Sequence, residues 1–189
     1  MKDSGRNLER SKAVKNPEHI EEIQKSRDAL AEFMQGNEQK FSFAVECHLR
    51  ERIKYIYSVI FPGWQKQRFY LRYFFSRLAY FTDYSPIKCL IYRVIGVKIG
   101  KGVFISSDVV IDVHFPHLIE IEDYVVLGHG ARIFTHEFSD ATYTLGRVMI
   151  GEGTVVGGFA TLRRGVSIGK DVTVPINKVV SRNIEKKHG

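Results

Sequence analysis

The feature of this sequence that most constrains its fold is an aliphatic residue that returns every six positions through the second half of the chain. The residue after each of these anchors is usually small or polar. A period of six excludes an α-helix, whose faces return every 3.6 residues, and it is more regular than strands joined by ordinary turns. The anchors are Ile99, Ile105, Ile111, Ile121, Leu127, Ile133, Ile150, Val156, Leu162, Ile168, Val174 and Val180.

This period is typical of a parallel β-helix, in which three hexapeptides form one triangular coil of about eighteen residues. Each anchor then points into the prism and stacks on the anchor one coil earlier, so Ile99, Ile150 and Ile168 are expected to stack. The small residue after each anchor lies at a corner, where a bulky side chain would strain the backbone. An ordinary β-sandwich would explain the frequency of β-branched residues but not the constant six-residue spacing of the anchors. The prediction is a mainly β fold with a parallel β-helix of about four coils.

Two interruptions of the repeat indicate where the chain leaves the prism. The spacing to the next anchor is ten residues after Ile111 and seventeen after Ile133. A coil accommodates an insertion by extruding it as a loop, and loops on rigid scaffolds often carry functional residues. The longer loop, residues 135–147, is polar and contains His136.

Three segments carry a resemblance to a known family: IGKGVFISSDVVI, IEDYVVLGHGARIFTHEF and IGEGTVVGGFATLRRGVSIGKDVTV. They resemble the hexapeptide-repeat acyltransferases, in the branch of the maltose, galactoside and capsular-sugar O-acetyltransferases. The resemblance covers residues 87–184. It implies a left-handed β-helix, a homotrimer, acetyl-CoA as donor, and a sugar or glycan-precursor hydroxyl as acceptor. No metal is expected, because the spacing of the histidines does not match a zinc site.

The resemblance assigns the catalytic role to His136. In the family a loop histidine removes the proton from the acceptor hydroxyl as it attacks the thioester, and His136 is the matching position. An imidazole suits this task because its pKa of about 6.5 leaves it neutral yet basic at physiological pH. The alternative is a solvated loop histidine. The residue that orients His136 is not identified, although Glu137 and Asp140 are near in sequence.

The resemblance also implies residues that bind the donor and the acceptor. The backbone N–H of Gly158 matches the family position near the thioester oxygen, where an N–H would stabilise the oxyanion. Ile176 matches a position near pantetheine, and Ser181 with Arg182 matches a Thr-Lys pair near the adenosine. Ser106 is the nearest equivalent of a polar residue that contacts the acceptor.

The chain departs from the family at the nucleotide end of the implied CoA site. Pro175 and Ile176 replace the usual Gly-Ala corner, and no segment matches the family's C-terminal Gly-x-Pro-Ala-Lys-x-Ile. We therefore expect CoA to be held less tightly there, or differently.

The sequence before the repeat is of another kind. Residues 1–40 balance acidic and basic side chains, have little apolar content and predict a solvated helical or partly disordered arm. Residues 41–98 contain fifteen of the 23 aromatic residues and the whole net charge of +7, and predict a basic, aromatic helical cap. Residues 99–184 are the predicted β-helix, and 185–189 a tail.

Two helices are predicted in the cap. The spacing of apolar residues within 64–81 predicts an amphipathic helix, and Ser85 with Pro86 predicts the start of a second helix that runs to Gly96. We expect these helices to cover the open end of the prism, and their basic and aromatic residues also suit a membrane surface. Nucleic acid is not an expected partner, because no recognition motif accompanies the charge.

The composition favours a cytoplasmic protein, and the basic, aromatic helices are compatible with peripheral contact at the inner face of the membrane. Two cysteines in 189 residues fit a reducing compartment, and no run of apolar residues is long enough to span a bilayer.

Three other functions remain open at this point. An amino sugar could be N-acetylated by the same machinery. A zinc enzyme of the γ-carbonic-anhydrase kind would use His117, His129 or His136, but the family's five-residue ligand spacing is not found. A trimeric scaffold without catalysis would use the basic helices as its working surface.

Overall fold

The computed structural model describes residues 17–45, 55–57, 59–60, 65–139 and 141–186. The helices are α1 (Pro17–Gln35), α2 (Gln65–Phe81) and α3 (Ser85–Ile95), residues 55–57 and 59–60 are also helical, and a short 3₁₀ helix spans Pro116–Leu118. The strands are β1 (Lys40–Ala44), β2 (Lys98–Ile99), β3 (Phe104–Ile105), β4 (Val110–Ile111), β5 (Ile119–Ile121), β6 (Val126–Leu127), β7 (Arg132–Ile133), β8 (His136–Ser139), β9 (Thr142–Gly146), β10 (Val148–Ile150), β11 (Val155–Val156), β12 (Thr161–Leu162), β13 (Ser167–Ile168), β14 (Thr173–Val174) and β15 (Val179–Val180).

Short parallel strands form the three faces of a prism. The first face has the order β13-β10-β5-β2, the second β14-β11-β6-β3 and the third β15-β12-β7-β4. The chain visits the three faces in turn and returns to the first one coil later, so it winds through four coils. On the first face Ile121 pairs with Ile99 and with Ile150, which in turn pairs with Ile168. The predicted parallel β-helix of about four coils is confirmed, with Ile121 completing the expected stack.

The anchors fill the interior of the prism. All of them are buried except Ile99 in the first coil, which is half-buried. Burying an aliphatic side chain of this size contributes about 1.5–3 kcal/mol. The repeat therefore builds a rigid scaffold, and residues at its corners are held in defined positions.

Both interruptions of the repeat lie at the same corner of the prism. We call the turn from the second to the third face corner 2–3, and the turn from the third face back to the first corner 3–1. The shorter insertion follows β4 and the longer one follows β7, and β4 and β7 are neighbours on the third face. The two extruded segments are therefore stacked one above the other at corner 3–1.

Helix α3 covers the first coil. The Lys88 ammonium donates a hydrogen bond to the Ser106 carbonyl (2.6 Å), and the Ile105 N–H donates to the Ser85 hydroxyl (2.8 Å). These bonds satisfy backbone groups that have no preceding coil to pair with. Three further residues of α3 are buried in the core of the prism, Cys89, Tyr92 and Ile95. The helix thus packs over the first coil and pairs with its backbone.

The helix boundaries agree with the predicted ones except at one cap. Helix α3 ends at Gly96, whose φ of 111° is left-handed, but it starts after Tyr84, so Ser85 is already inside the helix. The Ser85 hydroxyl bonds to the first coil instead of capping its own helix. Trp64, at the start of the predicted range 64–81, lies outside the described residues. No helix in the described ranges is long and apolar enough to cross a lipid bilayer.

The region before α2 differs from its sequence-based interpretation. Within the expected solvated arm, α1 buries Leu30 and Phe33 in a second core, which includes Tyr143 and Leu145 of the long insertion. Strand β1, in place of helix, pairs antiparallel with β9, which also pairs with β8. The guanidinium of Arg147 donates to carbonyls of residues 33, 36 and 38. The long insertion is therefore a hairpin built into a sheet with the N-terminal region.

Candidate active site

His136 is the first residue of the hairpin at corner 3–1. Its ring lies parallel to that of Tyr143 on the opposite strand, with 5.7 Å between ring centres and 17° between planes. Tyr143 is buried and packs on Phe43 of β1. The hairpin and β1 therefore fix one face of the imidazole.

Asp112 holds the other side of His136 from one coil earlier. Its carboxylate Oδ2 lies 2.5 Å from Nδ1 of His136 and accepts hydrogen bonds from the Thr135 N–H (3.0 Å) and the Thr135 hydroxyl (2.6 Å). Its Oδ1 accepts from the His114 N–H (2.9 Å) and lies 3.2 Å from Nδ1 of His114. Only 1% of the Asp112 side chain is exposed, so this carboxylate is buried and fully hydrogen-bonded.

These contacts keep Asp112 ionised. Burial alone would raise the pKa of the carboxyl group, but the hydrogen bonds from His114, His136 and Thr135 and the charge of His136 outweigh it. The pKa of Asp112 is therefore held well below its ordinary value. A buried anion beside Nδ1 stabilises a positive charge on the imidazole whenever Nε2 takes up a proton.

The dyad of Asp112 and His136 has the arrangement of a general base. An ionised carboxylate can only accept hydrogen bonds, so Nδ1 of His136 carries the proton and Nε2 has a free lone pair. The His136 side chain is 26% exposed, which makes it accessible to a reactant. The orienting carboxylate is Asp112. Glu137 faces Arg163 and Arg164 instead, and Asp140 lies outside the described residues.

Sequence reasoning missed Asp112, although a signal was present. Both interruptions follow the third hexapeptide of a coil, which places them at one corner. Asp112 directly follows the anchor Ile111, and Phe134 directly follows Ile133, the paired anchor one coil later. A polar residue after Ile111 was therefore bound to lie close to the start of the longer insertion.

Asp112, His114 and His136 also form a group with the composition of a metal site. Their potential ligand atoms all lie within 4.8 Å of one another. Nδ1 of His136 lies 2.5 Å and Nδ1 of His114 3.2 Å from the carboxylate, and an ionised carboxylate accepts hydrogen bonds from both nitrogens when they carry their protons. His117 and His129, named for the zinc alternative, lie elsewhere: His117 contacts Met34, and His129 contacts Ser107.

Comparison with known proteins supports the resemblance seen in the sequence. No protein-family model matches the chain. The chain is 28% identical over 109 residues to the Bacillus subtilis (strain 168) protein named "Putative acetyltransferase YvoF", covering 57% of this chain and 63% of that protein. It thus spans a little under two thirds of that relative's length.

Solved structures carry the same fold. VCA0836, a hexapeptide-repeat-containing acetyltransferase from Vibrio cholerae solved with acetyl coenzyme A, matches with a TM-score of 0.56 and 18% identity over 66% of this chain and 82% of that one. A maltose O-acetyltransferase from Clostridium difficile 630 matches with a TM-score of 0.51 and 19% identity over 63% and 78%. The chain thus contains hexapeptide repeats and has the fold of these acetyltransferases. The left-handed β-helix and the family resemblance predicted from the sequence are confirmed.

In this hexapeptide-repeat protein the other predicted site residues lie at two corners. Ser181 and Arg182 are exposed and follow β15, so they lie two coils beyond His136 at corner 3–1. Gly158 and Ile176 follow β11 and β14 at corner 2–3, and Ser106 follows β3 at the same corner. Within one subunit the structure therefore does not bring these three residues to His136.

Gly158 has properties that the turn itself does not require. Ser107, His129 and Ile176 occupy the equivalent position in the other coils, so a side chain fits this turn. A Cβ at Gly158 would meet the His129 carbonyl at 3.2 Å, which is tight but not prohibitive. The Gly158 N–H donates to no backbone carbonyl of the described residues. The Gly158 N–H is therefore not used in the backbone hydrogen bonds that hold the described coils together.

Proposed function

We propose that this hexapeptide-repeat protein is an acetyl-CoA-dependent O-acetyltransferase that acts on a hydroxyl of a sugar or glycan precursor. The observation that carries the proposal is the buried Asp112 carboxylate against Nδ1 of a partly exposed His136, on the fold of known acetyltransferases. The acetyl-CoA complex of VCA0836 supports the choice of donor.

The dyad would perform the proton transfers of the reaction. Nε2 of His136 takes the proton from the acceptor hydroxyl while the hydroxyl oxygen attacks the thioester carbonyl. The tetrahedral intermediate collapses, the carbon–sulfur bond breaks, and the CoA sulfur takes the proton back from His136. The products are the acetyl ester and free CoA. Asp112 is a positioning residue, since it acts on the reactants only through His136, whose transient charge it stabilises.

The donor site that we propose joins two subunits of a homotrimer. In one subunit Gly158 and His136 lie on different corners of the prism, so a second copy is needed to place the Gly158 N–H near the thioester that His136 faces. Exposed Ile176 would contact pantetheine, and Ser181 with Arg182 would lie toward the nucleotide. Ser106 remains a candidate for acceptor contact at corner 2–3.

Exposed apolar residues support assembly through corner 2–3. The outward positions of the first face are mostly polar or charged, whereas apolar residues lie exposed on the second and third faces and at the corner between them. A second copy that packs on these two faces and their corner would cover these apolar residues. These residues are Phe104, Val110, Val155, Phe159, Ile176 and Val179.

Peripheral membrane contact is a further part of the proposal. Many large apolar residues of α2 are exposed, the exposed arginines Arg68 and Arg77 lie among them, and no acidic residue belongs to the helix. Basic and aromatic residues together favour the headgroup region of anionic bilayers. Co-flotation of the protein with anionic vesicles but not with neutral ones tests this contact, and flotation with neither would contradict it.

Acetyl transfer tests the catalytic proposal directly. Purified protein is incubated with acetyl-CoA and a panel of sugars, amino sugars and glycan precursors, and ester or amide products are identified by mass spectrometry. We expect ester products, and a loss of about 10²–10⁴-fold in kcat/KM for His136→Ala. Ser139→Ala, exposed on the same strand, is the control. Full activity of His136→Ala would refute the role of that residue, and amide products would favour N-acetylation.

The homotrimer is tested by light scattering of the purified protein. We expect a mass three times that of the chain, which is 21.7 kDa. Val179→Glu, on the exposed apolar surface, should shift the mass to that of a monomer and abolish acetyl transfer. A fully active monomer would contradict the shared site.

A further inference from the structure

A cavity of about 490 Å³ lies beside the dyad and has no role in the proposed chemistry so far. Its floor is corner 3–1, and its walls are α1, α2 and the helical residues 59–60. The volume falls within the range of about 300–1,000 Å³ that is usual for small-molecule sites. Apolar residues of the lining include Leu30, Met34, Ile60 and Phe115.

The polar lining of the cavity is predominantly basic. Arg27, Arg68 and Arg72 line it, and Asp28 is the one acidic residue in the described lining. Arg72 is half-buried and makes no ion pair with any residue that the structure describes. Burial, followed by repulsion from Arg68, lowers the pKa of Arg72. A guanidinium in this position is stabilised by an anion that enters the cavity.

The cavity borders the dyad at His114. This residue lines the cavity, and its ring centre lies 4.6 Å from that of His136. His117 lines the same floor, and burial together with the charges of Arg72 and Arg147 lowers its pKa to about 4. His117 is therefore neutral at physiological pH and adds no positive charge to that of the arginines.

We propose that this cavity binds the acceptor, and that the acceptor is anionic. Its phosphate or carboxylate group is held by Arg72, since a guanidinium matches both anions in a bidentate manner. Its sugar ring packs against the apolar lining, and its hydroxyl reaches Nε2 of His136 past His114. The substrate class is thus a sugar phosphate or an acidic sugar and not a neutral sugar. The binding of an anion by Arg72 is independent of the proposed function, and only the delivery of the acceptor hydroxyl to His136 rests on it.

Binding of the anion is tested without catalysis. Inorganic phosphate is titrated calorimetrically into the wild type, Arg72→Gln, Arg72→Lys and Arg77→Gln. Arg77 is the matched control, because it lies on α2 but contacts Tyr80 and Phe81 outside the cavity lining. We expect Arg72→Gln to weaken phosphate binding by about tenfold or more, Arg72→Lys to weaken it less, and Arg77→Gln to leave it unchanged.

A second site for phosphate is distinguished in the same series. Arg182→Gln reports on binding at the proposed nucleotide end of the donor site. Circular dichroism confirms that each variant is folded. Equal phosphate affinity of the wild type and a folded Arg72→Gln variant would overturn the proposal, as would loss of binding in Arg182→Gln alone.

Catalysis supplies the test of acceptor class. Glucose 1-phosphate, glucuronate and methyl glucoside are compared as acceptors, and so is any acceptor found in the wider panel. We expect transfer to anionic acceptors, with Arg72→Gln raising the acceptor KM about tenfold to a hundredfold and leaving the KM for acetyl-CoA unchanged. The phosphate and carboxylate arms show which anion is preferred. A neutral best acceptor with an unchanged KM in Arg72→Gln would overturn the inference.

The failures of the two proposals are separable. If no acceptor is acetylated but phosphate binding depends on Arg72, the proposed function fails and the anion site stands. If acetyl transfer depends on His136 but not on Arg72, the proposed function stands and the acceptor inference fails.

Discussion

Replacing Asp112 with asparagine probes the dyad with the smallest change of shape. The carboxylate lies 2.5 Å from Nδ1 of His136 and accepts further bonds from Thr135 and His114. An amide keeps the volume but removes the charge and replaces one acceptor oxygen with a donor NH₂ group. If that group faces His136, Nδ1 must become the acceptor and the ring proton moves to Nε2, where it blocks base catalysis.

The expected loss follows from these contacts. A hydrogen bond to a charged group contributes about 1.5–3 kcal/mol, so weaker stabilisation of the imidazolium alone slows the reaction roughly 10- to 150-fold. The wrong tautomer removes the contribution of the base, which is about 10²–10⁴-fold. We therefore expect Asp112→Asn to lower kcat by about 10²–10⁴-fold with little change in the KM for acetyl-CoA. The buried donors left without acceptors cost about 1–3 kcal/mol of folding free energy.

Steady-state acetyl transfer and urea unfolding measure the two effects separately. Asp171→Asn is the matched control, because Asp171 is a 63% exposed carboxylate at another corner and its φ of 51° suits asparagine. The pKa of Asp112 is lowered in the fold, so its stabilisation is present above the unfolded value of about 3.9 and is lost as the pH falls further. Asp112→Asn should lack this acid-dependent component. A folded Asp112→Asn variant with a kcat within about threefold of the wild type would refute the dyad.

Burial and two nearby arginine charges lower the pKa of His117 to about 4. The folded state therefore resists protonation of this residue, and the free energy of unfolding should fall by roughly 2 kcal/mol as the pH decreases from about 6.5 to 4, allowing for partial exposure. Urea unfolding at several pH values should show this slope in the wild type and in a variant of the exposed His129, and not in His117→Leu; the same slope in His117→Leu would contradict the assignment. Arg147→Met removes the hydrogen bonds to the carbonyls of residues 33, 36 and 38 and should destabilise α1 and β1 by about 2–4 kcal/mol. Hydrogen exchange should then become faster in α1 and β1 and stay unchanged in the prism. Equal acceleration throughout the chain would contradict local anchoring by Arg147. A Cβ at Gly157 would lie 2.7 Å from backbone atoms of the next coil, whereas one at Gly158 would meet the His129 carbonyl at 3.2 Å and needs only a small shift. Gly157→Ala should therefore lose at least about 3 kcal/mol of unfolding free energy in thermal unfolding, and Gly158→Ala less than about 1 kcal/mol. Equal losses in the two variants would refute this steric difference.

The prism could be predicted from the sequence because its determinants are local and periodic. Each anchor needs only a position in a hexapeptide to be buried, and the register of Ile121 with Ile99 and Ile150 follows from counting. The place of His136 in an extruded segment was predictable for the same reason, since an insertion cannot enter a regular coil. The boundaries of α2 and α3 followed from apolar spacing and from Pro86 and Gly96.

The surroundings of His136 were not predictable in this way. Strand β1 pairs with β9 across more than ninety residues of chain. The alternation of side chains in a short polar insertion does not show which distant strand it will pair with. The amphipathic face of α1 was too weak to show that it is buried, because its partners Tyr143 and Leu145 lie in the inserted hairpin. Arg147 reads as a surface charge in the sequence, yet it binds three carbonyls of the N-terminal region.

The sequence by itself determined the winding, the buried anchors and the exposure of one imidazole, since each depends on the order of residues along a single repeat. The tertiary structure decided which groups surround that imidazole. Asp112 reaches His136 only because two insertions at one corner are stacked by the third face of the prism, and Arg72 lines the neighbouring cavity only because α2 folds back over that corner. Burial and hydrogen bonding in three dimensions then lower the pKa of Asp112, and no linear pattern contains those contacts.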